Sequence, residues 1–366
     1  MKVALLHDYL NQFGGAERVL ETFLEIFPEA DIYTLFYLKN KELALFEKNI
    51  KKTSFLDFPI VARNHQFFIP LLPLASNSLK IPNSYDLIIS DSAGFGKGFS
   101  TPKGVFHLSY VHTPLRYAWE FNGYFKNFFL KTFGKIPAAS LRGWDFRAAK
   151  NPDKIVVPSK FIKDKVSNFY GLSSKVIHPP IDWGLINSFK NKNDKRENFY
   201  LAAGRLIGYK RFDLILDAFK ENGLPLKIVG SGRELARLKN KAKESKNIDF
   251  LGFVSRPELY HLYNSAKGFI FPQVEDFGMV AAEAEAAGLP VIGLKSGGAL
   301  EIIENQKTGL FFENQTVESL NSTIKIFENM VFDHGYIREL AKRFSKERFK
   351  KEILEILPEG MISTLK

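Results

Sequence analysis

Cysteine is absent from this 366-residue chain. Its absence excludes a disulfide framework, a thiolate zinc site and thiol catalysis, and it fits a reducing compartment. Long apolar runs are missing as well. No stretch of 18 or more uncharged apolar residues occurs, so no membrane-spanning helix is expected. The opening apolar run, Val3-Ala4-Leu5-Leu6, turns polar at His7-Asp8 and is too short for the core of a signal peptide. No Asp-x-Asp pair is present to clamp a metal–diphosphate complex. The seven histidines show no metal-ligand spacing either. The expectation is a soluble or peripheral protein without a bound metal.

What is present describes a globular chain. It is 45% hydrophobic and 25% charged, near the average for folded domains, which argues against disorder, collagen and coiled coil. At roughly 150 residues per domain the length suggests two domains. The net charge is +11, and residues 97–175 hold 14 Lys/Arg against 4 Asp/Glu. A patch of that sign selects anionic partners: phosphates, nucleic acid or an acidic membrane.

Short apolar β-rich runs alternate with amphipathic helical stretches, the pattern of parallel α/β units. Predicted strands in the first half are Val3–Leu6, Ile32–Leu35, Leu87–Ser90, Phe106–Val111 and Ile155–Val157, with helices at Ala16–Ile26 and Lys160–Phe169. Residues 184–197 are polar and Lys/Asn-rich and read as a linker. A second alternation follows, with strands from Phe199–Ala203 to Gly309–Phe312 and helices from Arg211–Lys220 to Val317–Asn329. The fold class is α/β: two Rossmann-like, doubly wound parallel-sheet domains, with ligands expected at the strand C-terminal ends. The boundaries are 1–183, 184–345 and a final basic amphipathic helix within 346–366.

Four motifs sit where such folds carry chemistry. Gly14 and Gly15 end the first strand's loop and open a helix, where backbone N–H groups can approach a phosphate; an ordinary strand–helix turn has the same look. The loop Gly204-Arg205-Leu206-Ile207-Gly208-Tyr209-Lys210-Arg211 offers Arg205 and Lys210, a fork donor and a point charge, to a diphosphate. The segment Glu275-Asp276-Phe277-Gly278-Met279-Val280 leads into Glu283 eight positions after Glu275. Its carboxylates suit sugar hydroxyls, and its helix N-terminus suits an anion. In a continuous helix the two glutamates would stand about 12 Å apart along the axis. Finally His112, in Tyr110-Val111-His112-Thr113-Pro114, can serve as a hydrogen-bond donor or a base.

These blocks together resemble the retaining family-4 glycosyltransferases of the GT-B architecture, over nearly the whole chain. The blocks His112–Trp119, Val157–Phe161, His178–Asp182, Glu275–Gly278 and Gly297-Gly298-Ala299-Leu300-Glu301 resemble bacterial mannosyltransferases that use GDP-mannose in surface polysaccharide assembly. The resemblance implies two domains facing a cleft and a last helix that crosses back to the first domain. It implies that Gly14 and Gly15 lie against the donor diphosphate and that Arg205 and Lys210 pair with it. It places Glu283 on the ribose, Glu275 on the hexose, and the backbone from Asp276 through Phe277, Gly278, Met279 and Val280 along the sugar and diphosphate. His112 is implied near the reacting carbon, and Gly230 and Val254 near the nucleoside. Departures from the family pattern are Gln273, Glu285 and the Ser345-Lys346-Glu347 stretch.

The expected reaction is metal-independent transfer of a hexose, mannose from GDP-mannose, to a lipid-linked oligosaccharide acceptor, with no cofactor. An aromatic–lysine stretch containing Tyr124, Phe125, Lys126, Phe128, Phe129 and Lys131 suits an anionic membrane surface or the acceptor, as does Phe67–Leu74. Core or lid packing accounts equally well for both. The expected location is the cytoplasm, peripheral on the inner face of the membrane. Rival readings are a UDP-sugar-dependent transferase, a GT-B epimerase, and a non-enzymatic basic nucleic-acid-binding protein. The last leaves the paired glutamates unexplained and lacks any RNA- or DNA-binding signature, so no nucleic-acid partner is expected.

Overall fold

A computed structural model describes residues 1–120, 135–190 and 195–362. The chain divides into two compact units, Met1–Pro180 with Phe349–Lys366, and Ile181–Arg348.

The first unit is built on a seven-stranded sheet in the order β3-β2-β1-β4-β5-β6-β7. Its strands are β1 (Val3–His7), β2 (Asp31–Thr34), β3 (Ile50–Thr53), β4 (Leu87–Ser92), β5 (Phe106–Val111), β6 (Lys154–Val157) and β7 (Lys175–Val176). Every pairing in it is parallel. Parallel sheets bury both faces, which explains the continuous apolar runs: all five residues of β1 and all six of β4 are buried. One face is covered in part by the Gly15–Ile26 helix, which contributes Val19, Leu20 and Phe23 to the core. Phe349, Ile353 and Leu357 from the C-terminal segment join the same core. Phe349 meets Phe23 edge-on at 5.5 Å and Tyr110 at 5.7 Å. The Lys346–Leu354 helix therefore has its apolar side in the first unit from Phe349 onward.

The second unit carries a six-stranded sheet, order β10-β9-β8-β11-β12-β13, again parallel throughout. The strands are β8 (Tyr200–Ala203), β9 (Leu226–Val229), β10 (Ile248–Gly252), β11 (Gly268–Phe271), β12 (Val291–Leu294) and β13 (Gly309–Phe312). The fold class expected from the sequence is the one found. A helix, Trp183–Ser188, occupies part of the stretch that reads as linker; Asp182 caps it by accepting from the Leu185 N–H at 3.1 Å.

In each sheet the strand order reverses once, between β1 and β4 and between β8 and β11. The loops leaving the C-terminal ends of those strands diverge there, and the crevice so formed is where doubly wound folds bind ligands. Three of the four sequence motifs follow strands of these two reversals, and His112 follows the neighbouring β5. Among the described residues, no helix is long and apolar enough to cross a membrane.

Candidate active site

At the first reversal, β1 ends in His7 and β4 carries Asp91 directly beside it in register. His112 follows the end of β5, the next strand over. The sheet thus delivers three titratable side chains to one point. Asp91, fully buried, receives His7 Nδ1 on one carboxylate oxygen at 2.9 Å and His112 Nε2 on the other at 2.6 Å. Tyr110 holds the His112 ring edge-on at 5.1 Å. The His112 side chain is 15% exposed, so a ligand can reach it. On its other side His7 Nε2 faces Glu17 at 3.7 Å. Glu17 in turn accepts the Gly14 N–H at 2.7 Å, closing the first turn of the Gly15–Ile26 helix. Gly14 and His112, far apart in sequence, are joined through Glu17, His7 and Asp91.

Burial alone would lower the His7 pKa, but pairing with Asp91 and Glu17 outweighs it and pushes the ring up to about 10. His7 is therefore a buried cation at neutral pH. For Asp91, burial would raise the carboxyl, yet His112 and His7 hold it below its ordinary value. His107 is different: burial drives it down to about 4, and its Nε2 meets the Ser90 hydroxyl at 2.9 Å, so it is a neutral core residue. Asp8 shapes the loop after β4. Its carboxylate accepts from the Ser92 hydroxyl at 2.8 Å and the N–H groups of Ala93, Phe95 and Gly96 at 2.7, 2.9 and 2.5 Å.

At the second reversal the loop after β8 carries exposed Arg205 and half-buried Lys210. The loop after β11 carries Glu275, and Lys210 Nζ forms an ion pair with its carboxylate. Two residues named from separate motifs therefore meet. The Glu275 loop is gripped from the side: Gly298 N–H donates to the Glu275 carbonyl at 2.9 Å. Gly297 adopts φ +61°, and a Cβ there would lie 2.5 Å from the same oxygen. Gly278, at φ +108°, caps the Met279–Ala286 helix. The backbone of Asp276, Phe277, Gly278, Met279 and Val280 forms the turn into that helix, so Glu275 and Glu283 do not lie on one continuous helix. Glu283 is inside the protein, 1% exposed, with the Tyr263 hydroxyl 3.4 Å away. Glu285 is also fully buried; burial pushes its carboxyl up to about 8 despite the Thr308 hydroxyl bond of 2.6 Å.

Gly230 lies in the loop after β9, against the loop after β8; a Cβ on it would fall 1.9 Å from the Gly204 carbonyl oxygen. Val254 is half-buried beyond β10, beside the exposed Phe253. Tyr124, Phe125, Lys126, Phe128, Phe129 and Lys131 lie outside the described residues. His7, Asp91 and Tyr263 are contributors that the motifs did not name; Glu17 closes the Gly14-Gly15-Ala16-Glu17 motif. The Gly297-Gly298 pair was the sequence signal for the grip on Glu275.

Comparison with known proteins gives a match in each half of the chain. The model for Glycosyltransferase Family 4 matches residues 13–183, and that for Glycosyl transferases group 1 matches residues 186–351. An uncharacterised glycosyltransferase of Methanocaldococcus jannaschii is 29% identical over 203 residues, 55% of this chain and 56% of that protein. The O-antigen chain mannosyltransferase C of Escherichia coli is 29% identical over 157 residues, 41% of this chain and 42% of its own length. The chain spans about half the length of the curated relatives it matches. Among solved structures, Anabaena HepE in complex with UDP superposes with a TM-score of 0.70 at 17% identity, over 97% of this chain and 99% of that one. At that identity the likeness concerns the fold, which is GT-B.

Proposed function

We propose that this protein is a retaining hexosyltransferase that moves mannose from GDP-mannose to a lipid-linked glycan, without a metal ion. The observation that carries the reading is the Lys210–Glu275 pair at the β8/β11 reversal, beside the turn at Gly278. A cation to neutralise a leaving diphosphate and a carboxylate to accept sugar hydroxyls are the two groups a nucleotide-sugar site needs. Likeness to a mannosyltransferase of O-antigen chains supports the choice of sugar and of a surface-glycan acceptor.

The chemistry runs as follows. The anomeric C–O bond breaks, and its electron pair passes to the departing diphosphate oxygen, stabilised by Arg205 and Lys210 and by helix N-terminal amides. Glu275 orients the hexose hydroxyls, Gly14 and Gly15 are the diphosphate contacts, and Gly230 and Val254 are the nucleoside contacts. The acceptor hydroxyl attacks the face the diphosphate leaves, and its proton goes to the leaving phosphate oxygen. His112 contacts the donor sugar near the reacting carbon.

An anionic membrane surface is the proposed working place. Exposed Phe55, Phe58, Ile60, Phe67, Leu71 and Leu74 fall in one stretch of the first unit, with Phe67 83% exposed. The stretch carries Arg63 and Lys80 and has no acidic residue from Phe58 to Tyr85. Apolar side chains beside basic ones suit an anionic leaflet.

The first test is calorimetric binding of GDP, UDP and ADP, then turnover of GDP-mannose and UDP-hexoses in EDTA. Selective GDP binding with metal-free GDP-mannose turnover is expected. Preference for UDP keeps the site and overturns the donor. Full turnover by Glu275→Ala, Arg205→Ala and Lys210→Ala would show the site to be misplaced.

A further inference from the structure

The cluster at the β1/β4 reversal does more than place His112 on the surface. His7 is boxed by acids: Asp91 from β4 on its Nδ1 side at 2.9 Å and Glu17 from the Gly15–Ile26 helix on its Nε2 side at 3.7 Å. A carboxylate only accepts, so His7 donates to Asp91 from Nδ1, and the Glu17 carboxylate 3.7 Å from Nε2 adds a second negative charge that favours the protonated ring. Asp91 then has one oxygen taken by His7, and its other oxygen accepts from His112 Nε2 at 2.6 Å. In the neutral His112 ring the proton therefore sits on Nε2, and Nδ1 is the nitrogen presented to a ligand, as an acceptor.

We propose that His7 is a positioning residue: it holds Asp91 in place as a carboxylate, and that acceptor-only carboxylate fixes the tautomer of His112 and makes its other nitrogen a hydrogen-bond acceptor for a substrate hydroxyl. The direction of both hydrogen bonds on Asp91 follows from the carboxylate, which can only accept. The His7 cation ties Glu17, and through it the Gly14 N–H, to the state of His112. No group outside Asp91, Glu17, His112 and the Tyr110 ring is needed for this ordering. The assignment of a substrate hydroxyl as the partner rests on the transferase reading above; the tautomer does not.

The test uses the full chain with 15N-labelled histidine, reading ring-nitrogen shifts by NMR. In the wild type the neutral His112 ring shows Nε2 protonated and Nδ1 bare, and His7 shows both nitrogens protonated near neutral pH. Asp91→Asn is isosteric and is the decisive variant. His7 still donates, so it claims the Asn carbonyl oxygen and turns the amide NH2 toward His112. His112 must then accept at Nε2, and its proton moves to Nδ1. Adding His7→Phe, or His7→Leu where the larger ring disturbs folding, frees the Asn carbonyl to turn back, and the Nε2 proton returns. An Asp91→Asn variant whose His112 tautomer is unchanged overturns the proposal, and so does a double variant that keeps the tautomer of the single one. A parallel arm follows nucleotide release from GDP-mannose and UDP-glucose. There, Asp91→Asn is expected to lose roughly a hundredfold and the double variant to recover part of it. A tautomer that flips and returns with no change in turnover would place His112 away from the substrate while leaving its ordering by His7 intact.

Discussion

Removing Lys97 tests the buried frame behind the His112 segment. Lys97 and Asp145 are both fully buried, with Nζ and Oδ1 2.6 Å apart. Lys97 also donates to the Gly94 carbonyl at 2.5 Å. The second oxygen of Asp145 accepts from Trp119 Nε1 at 2.8 Å and from the Tyr170 hydroxyl at 2.6 Å. Trp119 ends the run that begins at His112, so this ion pair anchors that run from below. Lys97→Met keeps the apolar stem and deletes the charge, leaving Asp145 anionic in the core with two neutral donors. Breaking a buried pair from one side costs about 3–5 kcal/mol. The two remaining hydrogen bonds to Asp145 favour the lower end, so about 3 kcal/mol is expected. In a unit of this size about 2–4 °C of Tm accompany each kcal/mol, giving a fall of roughly 6–12 °C. Urea and heat unfolding followed by tryptophan fluorescence is the assay, since Trp119 and Trp144 both lie in the first unit. Lys97→Met/Asp145→Asn removes the stranded charge and should recover more than half of the loss. A single variant within about 0.5 kcal/mol of wild type, the range of ordinary surface changes, would refute the reasoning. So would a double variant no more stable than the single one.

Three further outcomes are expected. The carboxyl of Glu285 is raised by burial from 4.5 to about 8, so the folded protein holds a proton there that the unfolded chain has released. Stability should therefore fall as pH rises through that window, and Glu285→Gln should flatten the slope in urea titrations; an unchanged slope would count against it. Gly298→Ala puts a Cβ 2.0 Å from the Phe277 carbonyl oxygen, so it should displace the Glu275 loop, lower stability by about 1–3 kcal/mol and reduce donor turnover; wild-type thermal unfolding and kinetics would contradict this. Phe58→Ser with Phe67→Ser alters exposed side chains only, so unfolding should stay within about 0.5 kcal/mol of wild type. Co-sedimentation with anionic vesicles at low salt should nevertheless drop, and undiminished binding would remove this stretch from the membrane reading.

Much of this protein is legible in its sequence because parallel strands buried on both faces must be apolar along their whole length. Phe106–Val111, Leu226–Val229, Gly268–Phe271 and Gly309–Phe312 run just as the apolar pattern predicts. β3 and β7 are short, with Lys at exposed positions, and sit at the two edges of their sheet, where one side needs no neighbour and the apolar signal disappears. Glycine pairs marked the loops, since Gly297 needs φ +61° and Gly298 has a carbonyl where a Cβ would be. What the sequence withheld was partnership. His7 and Asp91 stand 84 positions apart, Asp91 and His112 21 apart, and Lys210 and Glu275 65 apart. No local pattern links such residues. Strand order and register bring the first three to one corner, where the Asp91 and Glu17 carboxylates outweigh the cost of burial and favour the protonated His7 ring. Local sequence determined which residues are apolar enough to make the sheets; only the tertiary structure decided which charges face one another, because pairing depends on which strand lies beside which.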